Sequence, residues 1–182
     1  DFQYNIRNSL RQTKIIPCGG IMVNLDRTDQ RILALLSKNA RMSNKELAAE
    51  VELAPSSVHE RTKRLFETGI VAGAHADVSL ERVGLAIKAM LLIQLSEHEK
   101  GNLKRFLEEV SHIPEVRAAW MITGRFDTVV ELVTKDTEHL HRVVVEQFSS
   151  REEIHRIETS IVFESIKQQD LSRTLALVEQ GG

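Results

Sequence analysis

Between Leu25 and Gly69 the chain writes three helix starts and their stops into about 45 residues, which leaves room only for short helices joined by tight turns. Asp26 or Thr28 opens the first, and the acids Asp26 and Asp29 fall in a first turn where the helix dipole favours them. Leu25, Ile32, Leu33 and Leu36 then line up as one apolar stripe. Ser43 and Glu46 have the spacing of a capping box ahead of Leu47, Ala48 and Val51, which marks a second helix. After the break from Glu52 to Ala54 comes Pro55, whose fixed φ and missing N–H suit the first position of a third helix. Ser57 with Glu60 offers an alternative capping box two residues later. The third helix runs to Thr68 and stops at Gly69.

A different rhythm follows. Residues 71–85 read as a hinge, with Ile70 to Ala74 as a short strand or hinge and Ser79 to Gly84 as a turn. Ala86 to Leu95 has strand character, and Ser96 with Glu99 forms another capping box. Leu103, Phe106, Leu107 and Val110 then fall on one helical face, and Pro114 closes that region. Val116 to Thr123 and Thr128 to Val133 are predicted strands around the turn Gly124-Arg125-Phe126-Asp127. Asp136 opens a helix carrying Leu140, Val143, Val144 and Phe148, and Arg156 to Ile166 is the last predicted strand. The order is β-α-β-β-α-β, a ferredoxin-like unit over residues 86–168, with a polar tail at 169–182. The fold class is therefore α+β: a three-helix domain over 25–70 and a ferredoxin-like domain behind it.

In that topology both helices cover one face of the sheet, and the other face should turn polar if it meets water. Here it does not. Met90 and Leu92 oppose Ile87, Ala89, Leu91, Ile93 and Leu95 across the first strand, and Ala119 and Met121 oppose Val116, Ala118, Trp120 and Ile122. An uncovered apolar patch of this kind implies a partner surface, and a second copy on a two-fold axis is the simplest one. Burial under the connector or the tail is the alternative.

The third helix buries Val58, Thr62 and Leu65, with Phe66 at the edge, and turns Ser56, Glu60, Lys63 and Glu67 away. Ser57, His59 and Arg64 flank that ridge. Ser56 and Ser57 at the helix start suit phosphate or base-edge contacts, and Lys63 and Arg64 can neutralise phosphates. Arg61 reaches the backbone from the side, and His59 and Glu60 are the remaining candidates for base contact. Double-stranded DNA is the partner these residues fit, and a solvated face of a helical bundle, where such a mixture of charges is normal, is the alternative. A net charge of −2 gives no global pull toward nucleic acid, so contact must be local and repeated over several copies.

Composition removes several other classes. At 42% hydrophobic and 27% charged residues a packed core is expected rather than disorder. The single cysteine, Cys18, rules out a disulfide within one chain. No apolar run reaches the ~18 residues needed to span a bilayer, and a cytoplasmic location is expected. The seven histidines lack ligand spacing to cysteines or acids and read as solvated, so no metal or cofactor is expected. No phosphate-binding glycine loop or nucleophile elbow is present, and no enzyme is expected. Residues 1–24 show no periodicity and read as a poorly ordered extension, with Met22 a candidate natural start.

Taken in order, these pieces resemble the Lrp/AsnC family of feast/famine transcription regulators. Leu25-Asp26-x-x-Asp29-x-x-Ile32-Leu33 matches the first helix and Leu47-Ala48 the second. Ala54-Pro55-Ser56-Ser57-Val58-x-x-Arg61-x-x-x-Leu65-x-x-x-Gly69-Ile70-Val71 matches the third and its exit. Pro114-Glu115-Val116, Thr123-Gly124-Arg125-Phe126-Asp127, Ser160-Ile161-Val162 and Ile166-Lys167 match the regulatory half. The resemblance covers about residues 25 to 168. It implies sequence-specific DNA binding, a homodimer formed through sheet packing, assembly to a tetramer or octamer, and an amino-acid effector. It places Thr123, Gly124, Arg125, Phe126, Asp127, Thr159 and Ser160 near the effector, with Asp127 suited to an α-ammonium and Ser160 and turn N–H groups to a carboxylate. Arg125 and Ala54 depart from the usual residues at their positions. An architectural protein that wraps or bridges DNA without an effector is the alternative reading.

Overall fold

The computed structural model describes residues 24–96, 100–168 and 170–179. The chain divides into a helical unit, residues 1–76 with 166–182, and an α+β unit, residues 77–165. The N-terminal extension expected over 1–24 lies, but for Asn24, outside the described residues, as does Glu99 of the capping box at Ser96.

In the helical unit α1 (Arg27–Lys38), α2 (Asn44–Val51) and α3 (Pro55–Glu67) follow the predicted punctuation. Asp26 and Asp29 turn out to form a reciprocal capping box: Asp29 N–H donates to Asp26 Oδ1 at 2.8 Å and Asp26 N–H to Asp29 Oδ2 at 3.3 Å. At α2 the Glu46 N–H donates to Ser43 Oγ at 3.2 Å and Ser43 N–H returns to Glu46 Oε2 at 2.7 Å. The third helix starts at Pro55, and no side chain caps it because Ala54 has none to offer. Gly69 leaves α3 at φ +74°, a conformation that only glycine takes without strain. Ile32, Leu33, Leu36, Leu47, Ala48, Val58 and Leu65 form the core, with Ile70 and Val71 packed against it.

Two expectations give way in this unit. The stretch Ile70 to Ala74 does not form a strand, one of the two forms expected for it; its Val71 N–H instead donates to the Leu65 carbonyl at 3.0 Å and closes the end of α3. The segment expected as a polar tail carries a helix, α6 (Ser172–Glu179), that returns to α1. Leu175 packs on the helical core, Lys38 Nζ sits 2.9 Å from Asp170 Oδ2, and Leu171 N–H meets Ser37 Oγ at 3.4 Å. Asp170 is held well below the usual carboxylate range by the Ser172 hydroxyl and the Lys38 ammonium.

The α+β unit has the predicted order: β1 (Ile87–Leu95), α4 (Leu103–Val110), β2 (Val116–Met121), β3 (Thr128–Thr134), α5 (Thr137–Val143) and β4 (Ile154–Ile161). A π-helical turn, Val144–Ser149, prolongs α5 and carries the fully buried Phe148. The strands form one antiparallel sheet in the order β2-β3-β1-β4. Ala89, Leu91, Ile93 and Leu95 point to the helices and pack on Phe106, Val110, Leu140 and Val143. A bulge between Val116 and Ala118 turns both Val116 and Ala119 toward that core, so Val116 does not share a face with Ala118 and Trp120 as simple alternation predicts. The last strand also ends earlier than predicted. Its partner β1 begins at Ile87, and the final ladder bond runs from Val162 N–H to the Lys88 carbonyl at 2.9 Å. Phe163 and Ile166, read as strand residues, are left almost fully exposed.

Candidate functional site

The helical unit presents α3 with two different flanks. On the flank toward α1 the carboxylate of Asp29 is 1% exposed, a position where an unpaired charge would be costly. Arg61 Nη1 donates to Asp29 Oδ1 at 2.9 Å and to Asp26 Oδ2 at 2.6 Å, and Arg64 Nη2 donates to Asp29 Oδ2. The Asp29 N–H, then the Arg61 guanidinium, holds Asp26 below its ordinary pKa, and Asp26 followed by Asp29 raises that of Arg61. Arg61 and Arg64, expected against phosphates, therefore tie α3 to α1. Arg61 is mostly covered in this role, whereas half of the Arg64 side chain stays exposed.

The ridge opposite Val58 matches the helical reading. Ser56, Ser57, Glu60, Lys63 and Glu67 are all exposed. Lys63 Nζ and Glu67 Oε1 are 3.8 Å apart, a solvated i,i+4 pair worth a few tenths of a kcal/mol, too weak to keep the lysine from a phosphate. His59, also exposed, lies on the α2 flank with its Nδ1 3.0 Å from Asn44 Nδ2. Arg41 and Lys45, exposed at the start of α2, were not picked out from the sequence. Their signal was available: two cations on either side of the Ser43 cap, at the end of the helix that precedes the reading helix.

In the α+β unit the β2–β3 turn is built around Gly124 at φ +120°. Asp127 anchors it: its N–H donates to the Ile93 carbonyl and its carbonyl accepts from Ile122 N–H, both at 3.0 Å. Its carboxylate Oδ2 accepts the Leu95 N–H at 2.8 Å. Phe126 is 7% exposed, with the Arg125 guanidinium 5.4 Å from its ring centre. Arg125 also reaches β4, where Glu158 lies 3.4 Å from it and 2.7 Å from Arg156. The turn thus gathers Thr123 to Asp127 and adds Glu158, which the sequence reading missed. Thr159 and Ser160 are exposed but register with Leu91 and Met90 on opposite faces, while the turn meets β1 at Ile93 and Leu95. A cavity of about 350 Å³ at that end is lined by residues such as Leu95, Arg105, Phe106, Glu109 and Glu153, and by none of the expected effector residues.

The open face of the sheet carries Met90, Leu92 and Val129, half-buried, beside Trp120, which is 45% exposed. The Lys88–Glu131 pair at 3.1 Å and the Arg125–Glu158–Arg156 group lie around it. An apolar centre with a charged border is the usual make-up of a protein–protein interface.

Comparison with known proteins matches both halves. The AsnC-type helix-turn-helix domain matches residues 25–65 and the Lrp/AsnC ligand binding domain residues 88–171. The transcriptional regulator AldR of Mycobacterium tuberculosis is 33% identical over 143 residues, covering 79% of this chain and 80% of that protein. The chain belongs to the Lrp/AsnC family. AzlB of Bacillus subtilis, also a transcriptional regulator, is 33% identical over 149 residues, 82% of this chain and 94% of its own. Among solved structures, a Neisseria meningitidis transcriptional regulator in complex with L-Met superposes with a TM-score of 0.74 at 30% identity, covering 80% and 94% of the two chains. Escherichia coli AsnC does so at 0.73 and 26%, covering 80% and 97%. For this Lrp/AsnC chain the matched helix-turn-helix holds α1, α2 and most of α3, and the matched ligand-binding segment holds the sheet except Ile87, the first residue of β1. These relatives are regulators, as the missing catalytic motifs lead one to expect. Among the described residues no helix is long and apolar enough to cross a membrane.

Proposed function

We propose that this chain is a sequence-specific, DNA-binding transcriptional regulator that acts in the cytoplasm as a homodimer, assembled further to a tetramer or octamer, and answers to an amino acid or related metabolite. The observation that carries it is the exposed ridge Ser56, Ser57, Glu60 and Lys63 on a helix braced from both sides by α1 and α2. Hydroxyls and backbone N–H groups at the helix start face phosphates, Lys63 adds charge, and Glu60 and His59 stand where base edges pass. Arg61 acts through the fold rather than on DNA, and Arg64 divides its donors between Asp29 and the backbone of the duplex.

Dimerisation is supported by the open sheet face around Trp120, Leu92 and Met90, whose exposure in a monomer would cost several kcal/mol at about 25 cal/mol per Å². The effector reading is supported by the ligand-binding domain match and by the L-Met bound to the Neisseria relative. Thr123, Gly124, Arg125, Phe126 and Asp127 are its candidate residues on the turn, and Thr159 and Ser160 are candidates on β4 that register further along β1, on opposite faces of the sheet. Asp127 commits one carboxylate oxygen to Leu95, so an α-ammonium meets the other oxygen or Glu158. The same commitment favours a second reading, an effector-independent architectural protein, because Phe126 and Asp127 have structural duties without any ligand.

A mobility-shift titration of the protein on its own upstream DNA, with each of the twenty amino acids, separates the two. The regulator reading expects one amino acid to alter binding and to raise stability by about 2.7 kcal/mol at 100 times its Kd. Asp127→Asn should weaken that response and leave basal DNA binding intact. No response to any amino acid leaves the architectural reading standing.

A further inference from the structure

We infer that Asn44 sets the hydrogen-bonding sense of His59, making it an obligate donor toward DNA and fixing the preference at one operator position. The inference rests on the DNA-binding reading of α3. His59 is exposed on the side of the ridge that faces α2, and its Nδ1 lies 3.0 Å from Asn44 Nδ2. An amide nitrogen carries only donors, so the ring nitrogen facing it must accept. A neutral imidazole that accepts at Nδ1 carries its proton on Nε2. Asn44, the first residue of α2, is placed by the Ser43–Glu46 capping box, so the lock is fixed by the start of one helix acting on the middle of the next.

The consequence is a pattern of donors and acceptors along the ridge. Glu60 can only accept, Lys63 can only donate, and His59 would be ambiguous without Asn44. With Nδ1 occupied, Nε2–H faces outward and seeks an acceptor. In the major groove that is guanine O6 or N7, adenine N7 or thymine O4; on the backbone it is a phosphate oxygen. Cytosine N4, a donor, is excluded. Asn44 is thus a positioning residue and His59 a contact residue.

Glutamine and asparagine distinguish the two ring nitrogens: Gln extends an amide N–H to about the place of Nε2, while Asn reaches only as far as Nδ1. The test enriches duplexes from a randomised library with the full-length protein and measures each variant on the enriched duplex and on all single-base changes of it. His59→Gln should hold the enriched duplex at near wild-type affinity, since its amide N–H reaches the same acceptor, and His59→Asn should lose about tenfold there, the scale of one hydrogen bond. Asn44→Ala should relax the same operator position as His59→Asn, and adding Asn44→Ala to His59→Gln should change that position no further. Long-range proton–nitrogen NMR of the free protein should show His59 protonated at Nε2 alone, and a mixture of tautomers in Asn44→Ala. An unchanged melting temperature in each variant separates this from a loss of fold. A loss confined to one operator position identifies a base acceptor, as the inference requires; an equal loss on every duplex identifies a phosphate contact and overturns the claim that His59 sets a base preference. Equal binding by His59→Gln and His59→Asn, or a His59 tautomer indifferent to Asn44, overturns the inference while leaving the DNA-binding reading intact. Failure of the wild-type protein to enrich any duplex overturns both.

Discussion

Replacing Asp29 with Ala removes the one acceptor that Arg61 and Arg64 share and half of the cap on α1. Breaking a fully buried ion pair by deleting one partner costs about 3–5 kcal/mol. Here the carboxylate is buried but Arg64 is half exposed and Arg61 keeps Asp26, so both guanidiniums find other solvation and the loss falls toward about 2 kcal/mol. Loss of the returning bond to the Asp26 N–H adds about 0.5 kcal/mol. For a small helical unit this corresponds to a fall in melting temperature of about 10–20 °C. The two units can be followed separately in the full chain. The single tryptophan, Trp120, lies in the α+β unit, so its fluorescence reports that unit, while far-UV circular dichroism reports all the helices. The expected result is a large early loss of helix ahead of the Trp120 transition. A stability change below about 0.5 kcal/mol, or an equal shift of both signals, would refute the reasoning that this buried acid braces the reading helix.

Further outcomes follow from the same contacts. Lys63→Ala should reduce the salt dependence of DNA binding by about one phosphate, a change in slope of about 0.9, without altering stability. Arg64→Ala should instead lower both the melting temperature and the affinity, since its donors serve Asp29 as well as the exposed face. Leu175→Ala should destabilise the helical unit by about 1 kcal/mol, below the range for a fully buried leucine because this one is half covered. Acid should loosen the same unit: Asp26 and Asp170 have lowered pKa values in the fold, so their contribution is present above the ordinary aspartate pKa and lost as pH falls through the folded values. A helical transition that drifts upward in stability between pH 5 and pH 3 would contradict that assignment.

The parts of this fold that were legible were those written in adjacent residues. Ser43 with Glu46, Pro55 and Gly69 each act within one helical turn, and all three fall where they were expected. Strand alternation gave the apolar open face, because Met90 and Leu92 can point nowhere else once Leu91 and Ile93 face the helices. What stayed hidden depends on partners far along the chain. Arg61 and Arg64 lie 32 and 35 residues from Asp29, and periodicity shows which side of α3 they occupy but not that a buried acid waits there. The last helix did offer Leu171, Leu175 and Val178 at i, i+4 and i+7 after an aspartate, a helical spacing passed over because polar residues surround so short a run. The extra strand residues at Phe163 and Ile166 were read from β-propensity, which cannot tell that the neighbouring strand has already ended. For the β2–β3 turn, residue spacing predicted the hairpin, while its effector role came only from the family resemblance; the Leu95 N–H that Asp127 holds lies 32 residues away and no local pattern reveals it.

The ridge on α3 is tested most directly by measuring, at one fixed salt concentration, how much more tightly the full-length protein holds its enriched duplex than a scrambled one. The account predicts a ratio of at least about 10³ that collapses when Glu60 and Lys63 are both replaced by Ala. Equal affinity for the two duplexes, or a ratio untouched by those substitutions, would contradict it.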